Sequence, residues 1–388
     1  MENSKRIKNL PPYLFAEIDK MIAKAKKEGV DVISFGIGDP DLPTPDNIVS
    51  KMKDALDDPS THSYPSYEGL YEFRQAVADW YDRRYNVKFD ADREIVSLIG
   101  CKEGIAHFPF CYLNPGDIAL CPDPGYPVYK TSILLSGGEP YIMPLLKEND
   151  FLPDLEAIPE DIACKAKLLF INYPNNPTGA TADKEFYRNI IDFGLKYDII
   201  IAHDAAYSEI GLDDYNPPSL MQFEKAKDIG IEFNSLSKPY NMTGWRIGWA
   251  IGSAELIEAL GRIKTNIDSG IFEAVQYAGI EALNNGDSNI DKMTELYRER
   301  RDLVVKGLKD LGWNVAKNIA TFYLWSEVPE EYTSQEFSKN VFQETGVFFT
   351  PGNGYGKHGE GYIRIALTVK KERIKEALQR LKDSGFIF

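Results

Sequence analysis

The sequence predicts an α/β fold, with a large region of mostly parallel sheet between helices and a smaller α+β region. Three observations predict it. Short apolar runs alternate with helical patterns from about residue 93 to 250, as expected of strands buried on both faces and joined by helical crossovers. Polar residues able to do chemistry stand directly after these runs, where open α/β sheets present their ligand groups. Beyond two long helical patterns the chain turns to short strand-like segments mixed with helices.

Taken in order, Leu14, Phe15, Ile18, Met21, Ile22 and Ala25 recur at helical spacing. They predict an amphipathic helix ending near Gly29. Val32, Ile33, Ser34 and Phe35 form a short strand candidate. The apolar runs 95–99, 118–121, 168–172, 199–203 and 231–235 are the main strand candidates. Residues 254–284 and 290–311 read as long helices. Strand-like 321–325, a helix over 335–345, strand-like 362–368 and a final helix over 371–383 follow. These elements divide into a large domain, 41–284, and a small domain made of 1–40 and 285–388. There is no internal repeat and no low-complexity tract.

At 388 residues, 43% of them apolar, the chain is long enough for sizeable cores. Its 59 acidic residues outnumber 44 basic ones, for a formal charge of −15. That balance argues against nucleic acid or an anionic membrane surface as partner. Cys101, Cys111, Cys121 and Cys164 make no C-x-x-C pair, and the histidines at 62, 107, 203 and 358 are scattered, so no metal site is expected. No signal peptide or membrane span is visible, and a reducing cytoplasm is the expected location.

The most informative segment runs Ser235-Leu236-Ser237-Lys238-Pro239-Tyr240-Asn241-Met242-Thr243-Gly244-Trp245-Arg246. Upstream, Asp204 and Tyr207 follow one apolar run, and Asn176 follows another. Together these residue types suit pyridoxal 5′-phosphate. A lysine amine can form a Schiff base with the cofactor aldehyde, and an aspartate can hold the pyridine nitrogen protonated. Arginine and serine hydroxyls bind phosphate, arginine as a planar fork. Asn176 and Tyr207 can reach the phenolic oxygen, and Tyr126 can stack on the ring. The run into Gly100, Cys101 and Lys102 reads as a strand, a tight turn and a helix start, a ready anion cradle. Singly, each has a plainer reading: a solvated lysine, a helix-capping aspartate, a turn asparagine, a buried tyrosine. Their order along the chain favours one site. Pro239 removes a backbone donor beside Lys238.

From Gly38, Tyr64, the turn at 100–102 and Tyr126 through Asn176, Asp204, Tyr207, Ser235, Lys238 and Arg246 to Arg364, the order resembles the fold-type I, aspartate aminotransferase-like enzymes. The resemblance covers nearly the whole chain. It implies the PLP-dependent transferase fold with a seven-stranded large-domain sheet, and a homodimer. It implies that Arg364 grips a substrate α-carboxylate and that Tyr64 reaches the cofactor phosphate of the partner subunit. Cofactor contacts are then expected from Tyr64, Cys101, Lys102, Tyr126, Asn176, Asp204, Tyr207, Ser235, Ser237, Lys238 and Arg246. Lys238 is the expected catalytic residue. Substrate contacts are expected from Tyr13, Gly38, Lys102, Tyr126, Asn176 and Arg364.

Within that family, the early segment 10–18, Gly36-Ile37-Gly38-Asp39-Pro40 and Pro351-Gly352-Asn353-Gly354-Tyr355-Gly356 look like the LL-diaminopimelate aminotransferases. The implied reaction moves an amino group between LL-2,6-diaminopimelate and 2-oxoglutarate, in lysine biosynthesis. Alanine, aspartate or aromatic aminotransfer, and C–S lysis, remain alternatives on the same motifs. A DNA-binding regulator on this fold is not expected, because the chain starts almost directly with the family's first helix. Two positions depart from the subfamily pattern. Cys101 stands where serine is frequent in the phosphate loop, and Ser269 where an asparagine from the partner chain is usual.

Overall fold

Alternation along the strands sends successive side chains to opposite faces, and here both faces are dry. Leu168 and Phe170 enter one hydrophobic cluster while Leu169 and Ile171 enter another on the far side. The computed structural model describes residues 2–10 and 14–385. Twelve strands are used below: β1 (Ile33–Ser34), β2 (Ile95–Leu98), β3 (Ile118–Asp123), β4 (Glu139–Pro144), β5 (Ala166–Ile171), β6 (Ile200–Asp204), β7 (Gly230–Ser235), β8 (Gly248–Gly252), β9 (Tyr323–Glu327), β10 (Val347–Phe348), β11 (Thr350–Pro351) and β12 (Tyr362–Ala366).

Seven of them make one sheet in the order β2-β8-β7-β6-β5-β3-β4. β3 to β7 run parallel, and β8 alone is reversed, antiparallel to both neighbours. The reversal matters for the site. Ser235 pairs with Gly248, so the whole connection 236–247 is a loop at the C-terminal end of β7. Lys238 and Arg246 both sit on that loop. The parallel strands β5 and β6 end at the same edge, delivering Asn176 and Asp204 beside it.

The second region holds an antiparallel sheet, β11-β12-β9, and a parallel pair, β1 with β10. Helices Asp287–Asp310, Ser334–Thr345 and Lys371–Asp383 pack on these strands around a separate cluster that includes Phe337, Ile365 and Leu381. The segment 35–41 is stitched to this second region. Phe35 N–H donates to Phe348 (2.8 Å), Ala366 N–H donates to Phe35 (2.8 Å), and buried Arg300 grips Asp41 through two bonds of 2.6 and 2.8 Å. That fork is charge-assisted at both prongs.

Several elements differ from the sequence expectation, three of them in the large region. The helix expected over 254–284 is two helices, Ala254–Lys264 and Glu273–Asn285. Asp268 accepts from Lys264 Nζ (2.6 Å) and from Gly270 N–H (2.8 Å), and Gly270 takes φ +87°. A short polar side chain competes for the backbone there, and glycine admits the left-handed turn. β4 and β8 were not among the strand candidates. β4 reads Glu-Pro-Tyr-Ile-Met-Pro, and its prolines are tolerated because it is the sheet edge. β8 is a short run closed by glycines at both ends. Among the described residues, no helix is long and apolar enough to cross a membrane.

Candidate active site

At the C-terminal edge of the large sheet a cavity opens between the two regions, and most of the site residues expected from sequence line it. Lys238 is half-buried; its Nζ donates to the carbonyl of Gly38 (3.0 Å) and lies 5.7 Å from the centre of the Phe322 ring. Burial is the main cause that lowers its pKa from the usual lysine value to about 8. Arg364 and Arg246 lower it further, against the pull of Asp39 and Asp204. Desolvation and nearby positive charge both disfavour the ammonium form, so the amine is nucleophilic near neutrality. Pro239 sits in a turn closed by Tyr240 N–H to Leu236 (3.3 Å), which does not need the missing donor.

Asp204 ends β6 and is 6% exposed. One carboxylate oxygen accepts from the Tyr129 hydroxyl (2.7 Å). The other accepts from Ala206 N–H (3.2 Å) and from the Cys101 thiol (3.5 Å). Burial raises the Asp204 pKa, while Tyr129, Ala206, Cys101 and His203 oppose that rise. Behind it lies a second buried carboxylate, Glu232 on β7. Burial would push Glu232 up, but His203 (2.9 Å), Tyr81 (2.7 Å) and Ser219 (2.9 Å) hold it below the usual range. His203 also reaches the Tyr173 carbonyl (3.0 Å), bracing the loop that carries Asn176.

Arg364 on β12 is 1% exposed. Its terminal nitrogens donate to Asn176 Oδ1 and to the Gly36 carbonyl, each at 2.7 Å. The rings of Tyr323 and Tyr355 lie 4.1 and 4.9 Å from the guanidinium carbon, so the fork is held in a fixed plane. Tyr207 shares a 3.0 Å hydrogen bond with the Tyr323 hydroxyl. Gly38 leaves room for that hydroxyl: a Cβ there would fall 2.0 Å from it.

Arg246 is exposed, with Nη1 donating to Thr243 (2.9 Å) and Nη2 to Ile99 (3.5 Å). It leans on Gly100, which takes φ +75° and whose Cβ would meet Nη2 at 2.2 Å. Glycine is required there twice over, by conformation and by space. Ser235 accepts from Ser237 N–H (3.1 Å), and both serines are buried beside this turn. Lys102 is exposed, its Nζ 5.9 Å from the Tyr126 ring.

Two expected residues fall elsewhere. Tyr64 is 88% exposed and does not line the cavity of its own chain. Tyr13 lies outside the described residues. Conversely, Tyr129, Tyr323 and Thr243 belong to the site and went unnoticed in the sequence. Tyr129 carried one usable signal, its place three residues after Tyr126, in the first turn of the helix Val128–Ser136. Glu103, His107 and Asp268 bring three potential metal-ligand atoms together. Fully buried Lys264 already stands among them, 2.6 Å from Asp268 and 3.7 Å from Glu103, and supplies the positive charge.

Residues 30–381 match the family described as aminotransferase class I and II. The chain is 74% identical over 388 residues to the LL-diaminopimelate aminotransferase of Halothermothrix orenii, covering all of both chains. It is 59% identical over 382 residues to the enzyme of that name from Moorella thermoacetica, covering 98% of each. Among solved structures it is similar to substrate-bound BacF from Bacillus subtilis, with a TM-score of 0.97 and 36% identity over 100% of this chain and 99% of that one.

Proposed function

The chain belongs to the class I and II aminotransferases, and from that membership we propose that it transfers an amino group from LL-2,6-diaminopimelate to 2-oxoglutarate, in lysine biosynthesis, with pyridoxal 5′-phosphate as cofactor. One observation carries the reaction class: a nucleophilic amine (Lys238), a buried carboxylate (Asp204) and a braced guanidinium (Arg364) face one cavity. The substrate choice rests on the activity named for the relatives at 74% and 59% identity.

The residues fit the cofactor. Gly100 and Arg246 form a cradle that any Cβ would fill, and the donors around it suit a phosphate. Asp204 presents a buried acceptor for a ring N–H. When bound, pyridoxal phosphate supplies an aldehyde that condenses with amines and a ring that draws electrons from the substrate's Cα–H bond. Lys238 Nζ, neutral above about pH 8, captures the cofactor and later takes and returns the Cα proton. Asp204 holds the ring-nitrogen proton. Arg364 clamps the α-carboxylate in the plane fixed by Asn176, Gly36 and the two tyrosines. Tyr126 supplies a face for the ring, and Tyr207 and Asn176 supply polar contacts on its other edge. Tyr13, Lys102 and the backbone at Gly38 receive the distal end of the substrate.

Exposure of Tyr64 outside its own cavity supports a homodimer in which each Tyr64 completes the neighbour's phosphate site. The large, cofactor-binding domain is 41–284, with 1–40 and 285–388 as the smaller domain, in a cytoplasmic enzyme. The test is a panel of amino donors with 2-oxoglutarate, read as glutamate formed. LL-diaminopimelate should give the highest kcat/KM. A preference for alanine or aspartate would overturn the substrate and leave the class standing; no glutamate from any donor would overturn both.

A further inference from the structure

Cys101 sits in the turn that the cofactor phosphate would use, yet its sulfur points elsewhere, to Asp204 (3.5 Å). Tyr129 approaches the same carboxylate from helix Val128–Ser136, at 2.7 Å on the opposite oxygen. All three side chains are buried. From this geometry we infer that Tyr129 and Cys101 are positioning residues which keep Asp204 ionised and aimed, and through it keep the cofactor's ring nitrogen protonated. The inference rests on the proposed pyridoxal phosphate site.

The donors cannot reverse their role. Burial, followed by the charge of Asp204, pushes both the Tyr129 phenol and the Cys101 thiol well above their ordinary pKa values. Both remain O–H and S–H donors across the working pH range, so Asp204 can only accept. Hydrogen bonds to the charged form favour it, and burial opposes it. Among the described residues, the backbone N–H of Ala206 is the one further donor to this carboxylate. The other ionisable groups acting around Asp204 are His203 and Tyr207 from its own segment and Lys238 from beyond β7. None of these three donates a hydrogen bond to the Asp204 carboxylate among the described residues. Removing Tyr129 would leave one oxygen without a protein donor among the described residues. Removing Cys101 would weaken the other. Serine at 101 would keep a donor, and a stronger one.

The experiment uses holoenzyme loaded with pyridoxal phosphate carrying nitrogen-15 in the ring, titrated by NMR. The wild type should first show cofactor on Lys238 and a protonated ring nitrogen; failure there would overturn the proposed function itself. In Tyr129→Phe the alkaline midpoint of that nitrogen should fall by about one pH unit, a tenfold change in proton occupancy. Cys101→Ala should lower it less, and Cys101→Ser should restore or raise it. The apoenzyme's affinity for the cofactor and its melting temperature separate a local change from loss of fold. Normal loading with the same midpoint in Tyr129→Phe would overturn the inference. If Tyr129→Phe does not fold, the cysteine pair decides alone. A lower midpoint in Cys101→Ala than in Cys101→Ser upholds the role, and equal midpoints overturn it.

Discussion

Around Asp204 every polar partner is in place within one chain, whereas around Arg246 the wall stands open. Asp204 is 6% exposed and takes three donors. Arg246 is exposed and, among the described residues, rests on the carbonyls of Thr243 and Ile99. The two ends lie on the same sheet edge, so topology does not separate them. Chemistry does. A charge that must persist through the reaction is best fixed in a dry pocket, where hydrogen bonds are stronger and reorganisation is small. A dianionic phosphate must enter from solvent, so its receptor stays open and is completed late. The deep end should therefore govern turnover, and the open end cofactor retention.

Lys238 stands between the ends, and its loss should be the largest effect. Lys238→Ala removes nucleophile and proton carrier together, and turnover should fall by at least about 10²–10⁴-fold. In the wild type, borohydride reduction and peptide mapping should label Lys238; a label on another lysine would remove the premise. Because its amine titrates at about 8, the neutral, reactive fraction falls as pH drops. Capture of cofactor by apoenzyme should slow about tenfold per pH unit below that value and level off above it.

Next comes a direct contrast of the two ends. Asp204→Asn keeps size and loses charge, and kcat should fall about 10²–10³-fold at saturating cofactor, with melting temperature little changed. Arg246→Ala should loosen the cofactor roughly 10- to 160-fold, the scale of about 1.5–3 kcal/mol for a charged hydrogen bond. Excess cofactor should then recover most of its activity. If excess cofactor rescued Asp204→Asn as well, the division between the ends would fail.

A smaller effect tests whether the open end is finished by a second chain. Tyr64→Phe homodimers should retain cofactor less well. Mixing Tyr64→Phe chains with Lys238→Ala chains should create hybrids holding one intact site and one doubly defective site. Those hybrids should exceed both parents in activity. Activity equal to the average of the parents would place Tyr64 in its own site, against its 88% exposure.

The same contrast explains what the sequence disclosed. Lys238 and Asp204 were legible because each is a chemically specific residue placed just after an apolar run, where such sheets work, and Arg246 because it shares the Lys238 segment. Tyr129 was not, because its function depends on a side chain reaching from a helix to the end of β6, a contact 75 residues distant in the chain. Tyr323 was hidden likewise: it enters from β9, and only the fit of Gly38 against its hydroxyl reveals it. In the fold, β5 and β6 announced themselves by apolarity. β4 hid behind edge prolines and β8 behind flanking glycines, both permitted by position in the sheet rather than by local preference.

The smallest expected effect lies at the rim of the open end. Lys102 is exposed, with its Nζ 5.9 Å from the Tyr126 ring. Such a charge contributes modestly, about 0.5–1 kcal/mol at an exposed cation–π site, or roughly 2- to 5-fold. If it receives the distal carboxylate, Lys102→Met should lower kcat/KM for diaminopimelate by that factor and leave alanine unchanged. An exposed charge is also screened by salt. Raising ionic strength should therefore lower the wild-type kcat/KM for diaminopimelate towards the variant's, whose own value should move little. Equal losses for both donors would mean that Lys102 acts on the Tyr126 ring instead, and the distal carboxylate would then need another receptor.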